Sequence, residues 1–145
     1  MKVFLDTNVL VAASVRQHPH HTRADEILSR CAEGKDEGVI HSHSLLEFHS
    51  ALTQLPGGLA VPPALVGSLL DEGILPFVRQ AALRTSEVRA VQQRAGQLGL
   101  LGGMIYDLFH LAVAEKEKAE RFYTFNTGQF RQIASADFAN RIVSP

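Results

Sequence analysis

Apolar residues fall along this chain in two alternating patterns. Short blocks recur: Lys2-Val3-Phe4-Leu5, Val39-Ile40, Ile74-Leu75-Pro76-Phe77, Phe122-Tyr123-Thr124-Phe125 and Ile142-Val143. Each reads as a short buried strand. Pro76 lacks a ladder donor, so its block is expected at a sheet edge. Between the blocks the period lengthens to that of a helix. Ala24, Ile27, Leu28, Cys31 and Ala32 share one helical face, and Gly34 stands where that helix should stop. Leu45, Phe48, His49 and Leu52 mark a second face. Pro63 opens a third helix with Leu65, Leu69 and Leu70 apolar. Val88, Val91, Ala95 and Leu98 mark a fourth, ending near Gly99. Ile105, Leu108, Phe109, Ala112 and Val113 mark the clearest helix of all. The stretch from Pro56-Gly57-Gly58 to Pro62-Pro63 is rich in turn formers and is expected as a mobile loop.

Strand–helix alternation predicts an α/β fold with a mostly parallel sheet covered by helices on both faces. One domain over residues 1–145 is expected, since nothing repeats and no linker is long enough to divide the chain. In such folds ligands bind beyond the carboxyl ends of the strands, where strand order reverses. Polar residues that follow strands are therefore the ones to weigh.

Three acids stand out on that criterion. Asp6-Thr7-Asn8 directly follows the first strand. One capping residue would suffice to start a helix, and here three come in a row. Glu47 follows the second strand in Ser44-Leu45-Leu46-Glu47, which has the form of a capping box. Asp107 sits in Ile105-Tyr106-Asp107-Leu108-Phe109-His110-Leu111-Ala112-Val113-Ala114, a helix apolar nearly all round. A carboxylate buried there needs a partner or a cation. Carboxylate clusters suit Mg²⁺ or Mn²⁺, and such ions support attack on a phosphoryl centre. No Walker A, GxGxxG or GxSxG motif competes for the site.

Composition narrows the field further. Lys and Arg total 14 against 15 Asp and Glu, a net charge of −1, which excludes binding to nucleic acid by bulk charge alone. Cys31 is the single cysteine, so an internal disulfide and a thiolate zinc site are excluded. Val3-Phe4-Leu5 ends at Asp6, too early for a signal-peptide core. No membrane segment is expected either, and the default compartment is the cytoplasm.

With these motifs in order, the chain resembles the PIN-domain family of metal-dependent ribonucleases, in particular the VapC-type toxins of toxin–antitoxin pairs. The resemblance rests on Asp6-Thr7-Asn8 after a strand, on Glu47 early in a helix, and on Tyr106-Asp107 opening the pattern that ends Leu111-Ala112-Val113-Ala114. A fourth motif runs from Thr124 to Phe130. The family often carries an acid in that motif, where this chain has Gln129 and the equally neutral Asn126. The resemblance implies a PIN-like three-layer α/β/α sandwich. It implies that Asp6 and Asp107 hold Mg²⁺ or Mn²⁺ and that Glu47 completes the acidic shell. Thr7, Asn8 and Asn126 would support them. It further implies an RNA substrate, a VapB-type antitoxin and a homodimer. The main rival is a degenerate PIN module that binds RNA or protein without cleaving, which the neutral fourth corner favours. An aspartyl phosphatase is weaker, because Asn8 stands where a second acid would be needed.

Other polar residues read as structural. His18, His20 and His21 lie in a Pro-containing loop and are expected in solvent. His41 and His43 are expected to fill a strand end. His110 lies one turn beyond Asp107 and is expected beside it or in packing. Arg79, Arg84, Arg89 and Arg94 are expected on solvated faces with partners such as Glu87. Arg131 is the candidate for contact with substrate phosphate.

Overall fold

The computed structural model describes residues 1–145. Five strands form one parallel sheet: β1 (Lys2–Leu5), β2 (Glu37–His41), β3 (Val78–Ala81), β4 (Arg121–Tyr123) and β5 (Ile142–Val143), in the order β3-β2-β1-β4-β5. The chain builds outward from β1 in one direction and then returns to build in the other. The reversal lies between β1 and β4, where a crevice opens at the carboxyl edge.

Alternation along β1 sets the two cores. Val3 and Leu5 enter a cluster with α1 (Thr7–Ser14), α2 (His21–Ala32), α3 (Ser44–Thr53) and α4 (Pro63–Gly73). Phe4 enters the opposite cluster with α5 (Thr85–Leu98), α6 (Met104–Lys116), α7 (Thr127–Ile133) and α8 (Ala136–Ala139). The result is the three-layer α/β/α arrangement. Gly34 and Gly99 end α2 and α5 at φ +71° and +66°, values that favour glycine.

Several expectations are corrected. Ile74–Phe77 is not a strand: Ile74 is buried at the end of α4, and the Phe77 amide bonds to the Ile74 carbonyl in a turn. The edge strand begins one residue later, at Val78. Thr124 and Phe125 lie past the end of β4 rather than within it. Leu65, Val88 and His49 are exposed, because Val66, Val91 and Phe48 take the core positions of their helices. On α6 the deepest residues are His110, Leu111, Val113 and Ala114, while Ile105, Phe109 and Ala112 are half-buried. Tyr106 is exposed, so the helix is not enclosed all round. The two short helices α7 and α8 carry too few turns for a period to be read.

Candidate active site

Asp6 is the first residue after β1. Its backbone N–H still pairs with Tyr123 of β4, which pins it at the crevice. One carboxylate oxygen accepts the Thr7 N–H at 2.8 Å, so Asp6 does cap α1. The other accepts the Thr124 hydroxyl at 2.7 Å, across the switch point. Thr124 in turn accepts from Asn8 Nδ2 and from the Asn126 N–H, both at 3.1 Å. Asn8 Oδ1 accepts the Phe125 N–H at 3.2 Å. The segments after β1 and β4 are thus laced together, and Thr124 is the knot. Its position in the final motif was visible in the sequence; its role was not.

Glu47 does not form the expected capping box. Its Oε1 accepts the Thr7 hydroxyl at 2.9 Å and bonds His110 Nε2. Ser44 Oγ is left buried without a partner. His110 therefore serves Glu47 rather than Asp107. Its other ring nitrogen pairs with His41 Nδ1 at 3.1 Å, and both imidazoles are almost wholly buried. Burial, aided by the neighbouring His110 and His43, pushes His41 down to about 3, so that ring is neutral. Burial pushes Glu47 upward, but the bond and charge of His110 and the Thr7 hydroxyl outweigh it and hold Glu47 below its ordinary value.

Asp107 projects from the first turn of α6. Gln129 Nε2 donates to its Oδ2. The neutral fourth-corner residue thus engages one oxygen of the third acid. Burial raises Asp107 above its ordinary value against the pull of Gln129 and His110. Burial also lifts Asp6 to about 6, opposed by His110, Thr124 and Thr7 and reinforced by Glu47.

Asp6, Glu47 and Asp107 line one cavity of about 990 Å³ together with Thr7, Asn8 and Asn126. Asn126 is exposed there and its side chain caps nothing. Arg131 does not join them. Its guanidinium donates to the Ile142 carbonyl at 2.6 Å, holding α7 to β5. Arg79 and Arg84 are likewise occupied, with Glu117 and Glu87. No lysine or arginine lines the cavity; its basic groups are His18 and His20. Those two line it from the loop before α2, where His20 is exposed to solvent as expected and His18 is half-buried. Only His21 turns away, its Nδ1 meeting the Ala12 carbonyl at 2.9 Å.

The donor chemistry fits a hard divalent cation. The converging side chains are carboxylates and neutral oxygens, and the one thiol, Cys31, packs in the core. Two of the acids are pushed toward protonation by burial and by Glu47 nearby, a strain that a cation relieves. No three histidine, cysteine or acidic side chains are gathered tightly enough to enclose an ion. Mg²⁺ does not need such a cage, since it binds through one or two carboxylates and keeps several waters.

Known proteins share this architecture and parts of this sequence. The chain is 28% identical over 116 residues to ribonuclease VapC27 of Mycobacterium tuberculosis, a match covering 80% of this chain and 79% of that one. It superposes on VapBC2 of Rickettsia felis, solved with a DNA fragment from the promoter, at a TM-score of 0.67 and 21% identity over 99% and 98% of the two chains. It superposes equally, at 0.67 and 16% identity, on VapC20 of Mycobacterium tuberculosis, a sarcin–ricin loop cleaving toxin, over 93% and 97%. The PIN domain matches residues 3–136, nearly the full length, and the chain belongs to the PIN-domain family.

Proposed function

We propose that this chain is a Mg²⁺- or Mn²⁺-dependent endoribonuclease and the toxin of a VapBC-type pair. One observation carries the reading: acids from three separate elements line a single cavity at the carboxyl edge of the sheet, beside the strand-order reversal. Asp6 and Asp107 would hold the cation and Glu47 would complete the shell. A bound divalent ion supplies a Lewis acid that polarises a phosphate oxygen and acidifies a water. The chain's own residues do the rest. Thr7 and His110 hold Glu47 ionised and facing the cavity, able to accept a proton from an attacking water. Thr124 and the Thr7 N–H fix the plane of the Asp6 carboxylate. Asn126 offers an amide to the phosphate or to water.

The relatives support an antitoxin partner: VapC-type proteins pair with small antitoxins, and FitAB is another such assembly solved on DNA, with the same fold. We propose that the whole chain acts as one catalytic domain, forms a homodimer, and works in the cytoplasm, where its RNA lies. No helix is long and apolar enough to cross a membrane.

The test is cleavage of single-stranded RNA by the purified chain with Mg²⁺, Mn²⁺ or EDTA, beside Asp6→Asn and Asp107→Asn. Cleavage that needs the ion and both acids supports the reading. RNA binding without cleavage under every condition would leave the non-cleaving module, which the neutral Gln129 and Asn126 favour.

A further inference from the structure

The cavity poses a charge problem. It presents three acids and no lysine or arginine, so neutralising phosphates cannot by itself hold RNA there. It is also far larger than a phosphate and a hydrated ion require, and 990 Å³ matches the size of a site for a whole small ligand. Something other than charge should hold the strand.

The wall contributed by the loop before α2 offers it. His20 stacks on Phe125, with ring centroids 4.5 Å apart and planes within 17°. Arg23 lies over the Phe125 ring at 5.3 Å and reaches His20 Nδ1 at 3.4 Å. The His20 N–H donates to His18 Nδ1 at 3.1 Å, which braces the loop. His20 and Phe125 both line the acid-bearing cavity. Phe125 is half-buried against the core, while His20 is exposed. A π-stack two rings deep therefore ends in a solvent-exposed imidazole, with the His18 ring tilted beside it at 5.8 Å. The stack is also tied to the chemistry: the Phe125 N–H bonds Asn8, Asn8 bonds Thr124, and Thr124 bonds Asp6.

We propose that the His20–Phe125 stack is a platform for an unpaired nucleobase of the RNA strand, with Arg23 beside it for the adjoining phosphate. The proposal rests on the nuclease reading and names how that site holds its substrate. Every base has a π-face, so stacking on aromatic rings gives affinity without demanding one sequence. Single-stranded RNA is held in this way where its bases are splayed from a helix. A duplex would not offer a free base face, so the platform selects unpaired segments.

The experiment uses the full chain carrying Asp107→Asn to silence cleavage. The probes are short single-stranded oligoribonucleotides with 2-aminopurine at successive positions, whose fluorescence is quenched on stacking. Binding is read separately by anisotropy. We expect quenching at one position of the strand. His20→Ala should abolish it and weaken binding about tenfold, the loss of one stacked base. His20→Phe, which keeps an aromatic plane and removes the ring nitrogens, should restore both. In the cleaving protein, His20→Ala should raise KM and leave kcat near its starting value. Equal binding and quenching in His20→Ala, or no rescue by His20→Phe, overturns the platform while leaving the nuclease intact. If the parent chain neither binds nor cleaves RNA, the underlying reading fails and the platform with it.

Discussion

His110 Nε2 bonds Glu47 Oε1 from inside the molecule, linking a helix on one face of the sheet to an acid carried on the other. Glu47 stays ionised, so the proton in that bond belongs to His110. The imidazole is thereby a positioning residue for the carboxylate. His110→Ala removes the donor, leaves His41 Nδ1 unpaired and opens a hole beside Phe4. The expected loss is about 2–4 kcal/mol in urea unfolding. Glu47 should then titrate at higher pH, moving the acid limb of the cleavage profile upward. His110→Gln, which can still donate to Glu47, should return much of that shift. An unmoved acid limb in His110→Ala would show that His110 only packs.

Asp6 makes metal-free stability depend on pH in an unusual direction for an acid. Its folded value of about 6 lies above the ordinary 3.8, so the folded state holds the proton more tightly than the unfolded chain. Asp6 therefore favours folding below about pH 4, and this contribution is lost as pH rises through 6. Asp6→Asn lacks the titration. In EDTA, the stability of Asp6→Asn relative to the parent should climb between pH 4 and 6 by up to about 3 kcal/mol and then level off. Taking the difference cancels His41, whose depressed value acts with the opposite sign: it lowers stability as pH falls below the ordinary 6.5. A flat difference across that range would contradict the burial of a charged Asp6.

The three acids were legible because each follows a strand or interrupts an apolar helical run, and local spacing records both. What the sequence hid is contact over distance. His20 meets Phe125, and His110 meets Glu47, between segments with no shared motif. Side-chain choice also hides. Ser44 and Glu47 have capping spacing, yet Glu47 is drawn to two better donors, the Thr7 hydroxyl on its own face of the sheet and His110 on the other. The Ile74–Phe77 block has strand composition, but Ile74 is claimed by the core and Pro76 suits a turn. Periodicity reports apolar faces; it does not say which of two adjacent apolar positions goes deepest, as α6 shows.

Ser44 offers a stabilising change. Its hydroxyl is buried with no partner, while Glu47 is engaged elsewhere. Ser44→Ala removes the unpaired group and adds a better helix former. Stability should rise by about 1 kcal/mol, or roughly 3 °C in thermal melts, with RNA cleavage unchanged. A lower melting temperature would indicate that the hydroxyl has a partner, such as a buried water.

Gly38 is required by close approach. A Cβ there would stand 2.8 Å from Val78 Cγ1 and 2.9 Å from Cys31 Sγ. Gly38→Ala should therefore cost about 1–3 kcal/mol through overpacking. Adding Cys31→Ala removes one of the two obstacles. The double variant should lose less than the sum of the two single changes. Strict additivity in denaturant titrations would show that the sulfur is not the obstacle.

Position 129 decides how strongly the site holds its cation. Gln129 donates to Asp107 Oδ2, so whatever stands there acts directly on the third acid. Three carboxylates balance one divalent ion but not two, and both fourth-corner residues are neutral. One weak site is expected in the free chain, read by titration calorimetry with Mn²⁺. Gln129→Asp replaces a donor with a second carboxylate. Without metal, the two acids repel, Asp107 rises further and the fold should lose about 1 kcal/mol. With metal, the added charge should lower the Mn²⁺ needed for half-maximal cleavage about tenfold, equivalent to about 1.4 kcal/mol of binding. Gln129→Ala is the control, since it frees the Asp107 oxygen without adding charge. If Gln129→Ala lowers the Mn²⁺ requirement as far as Gln129→Asp, the effect is release of Asp107 and not the missing charge. Two tight sites in the unaltered chain would overturn this account of the fourth corner outright.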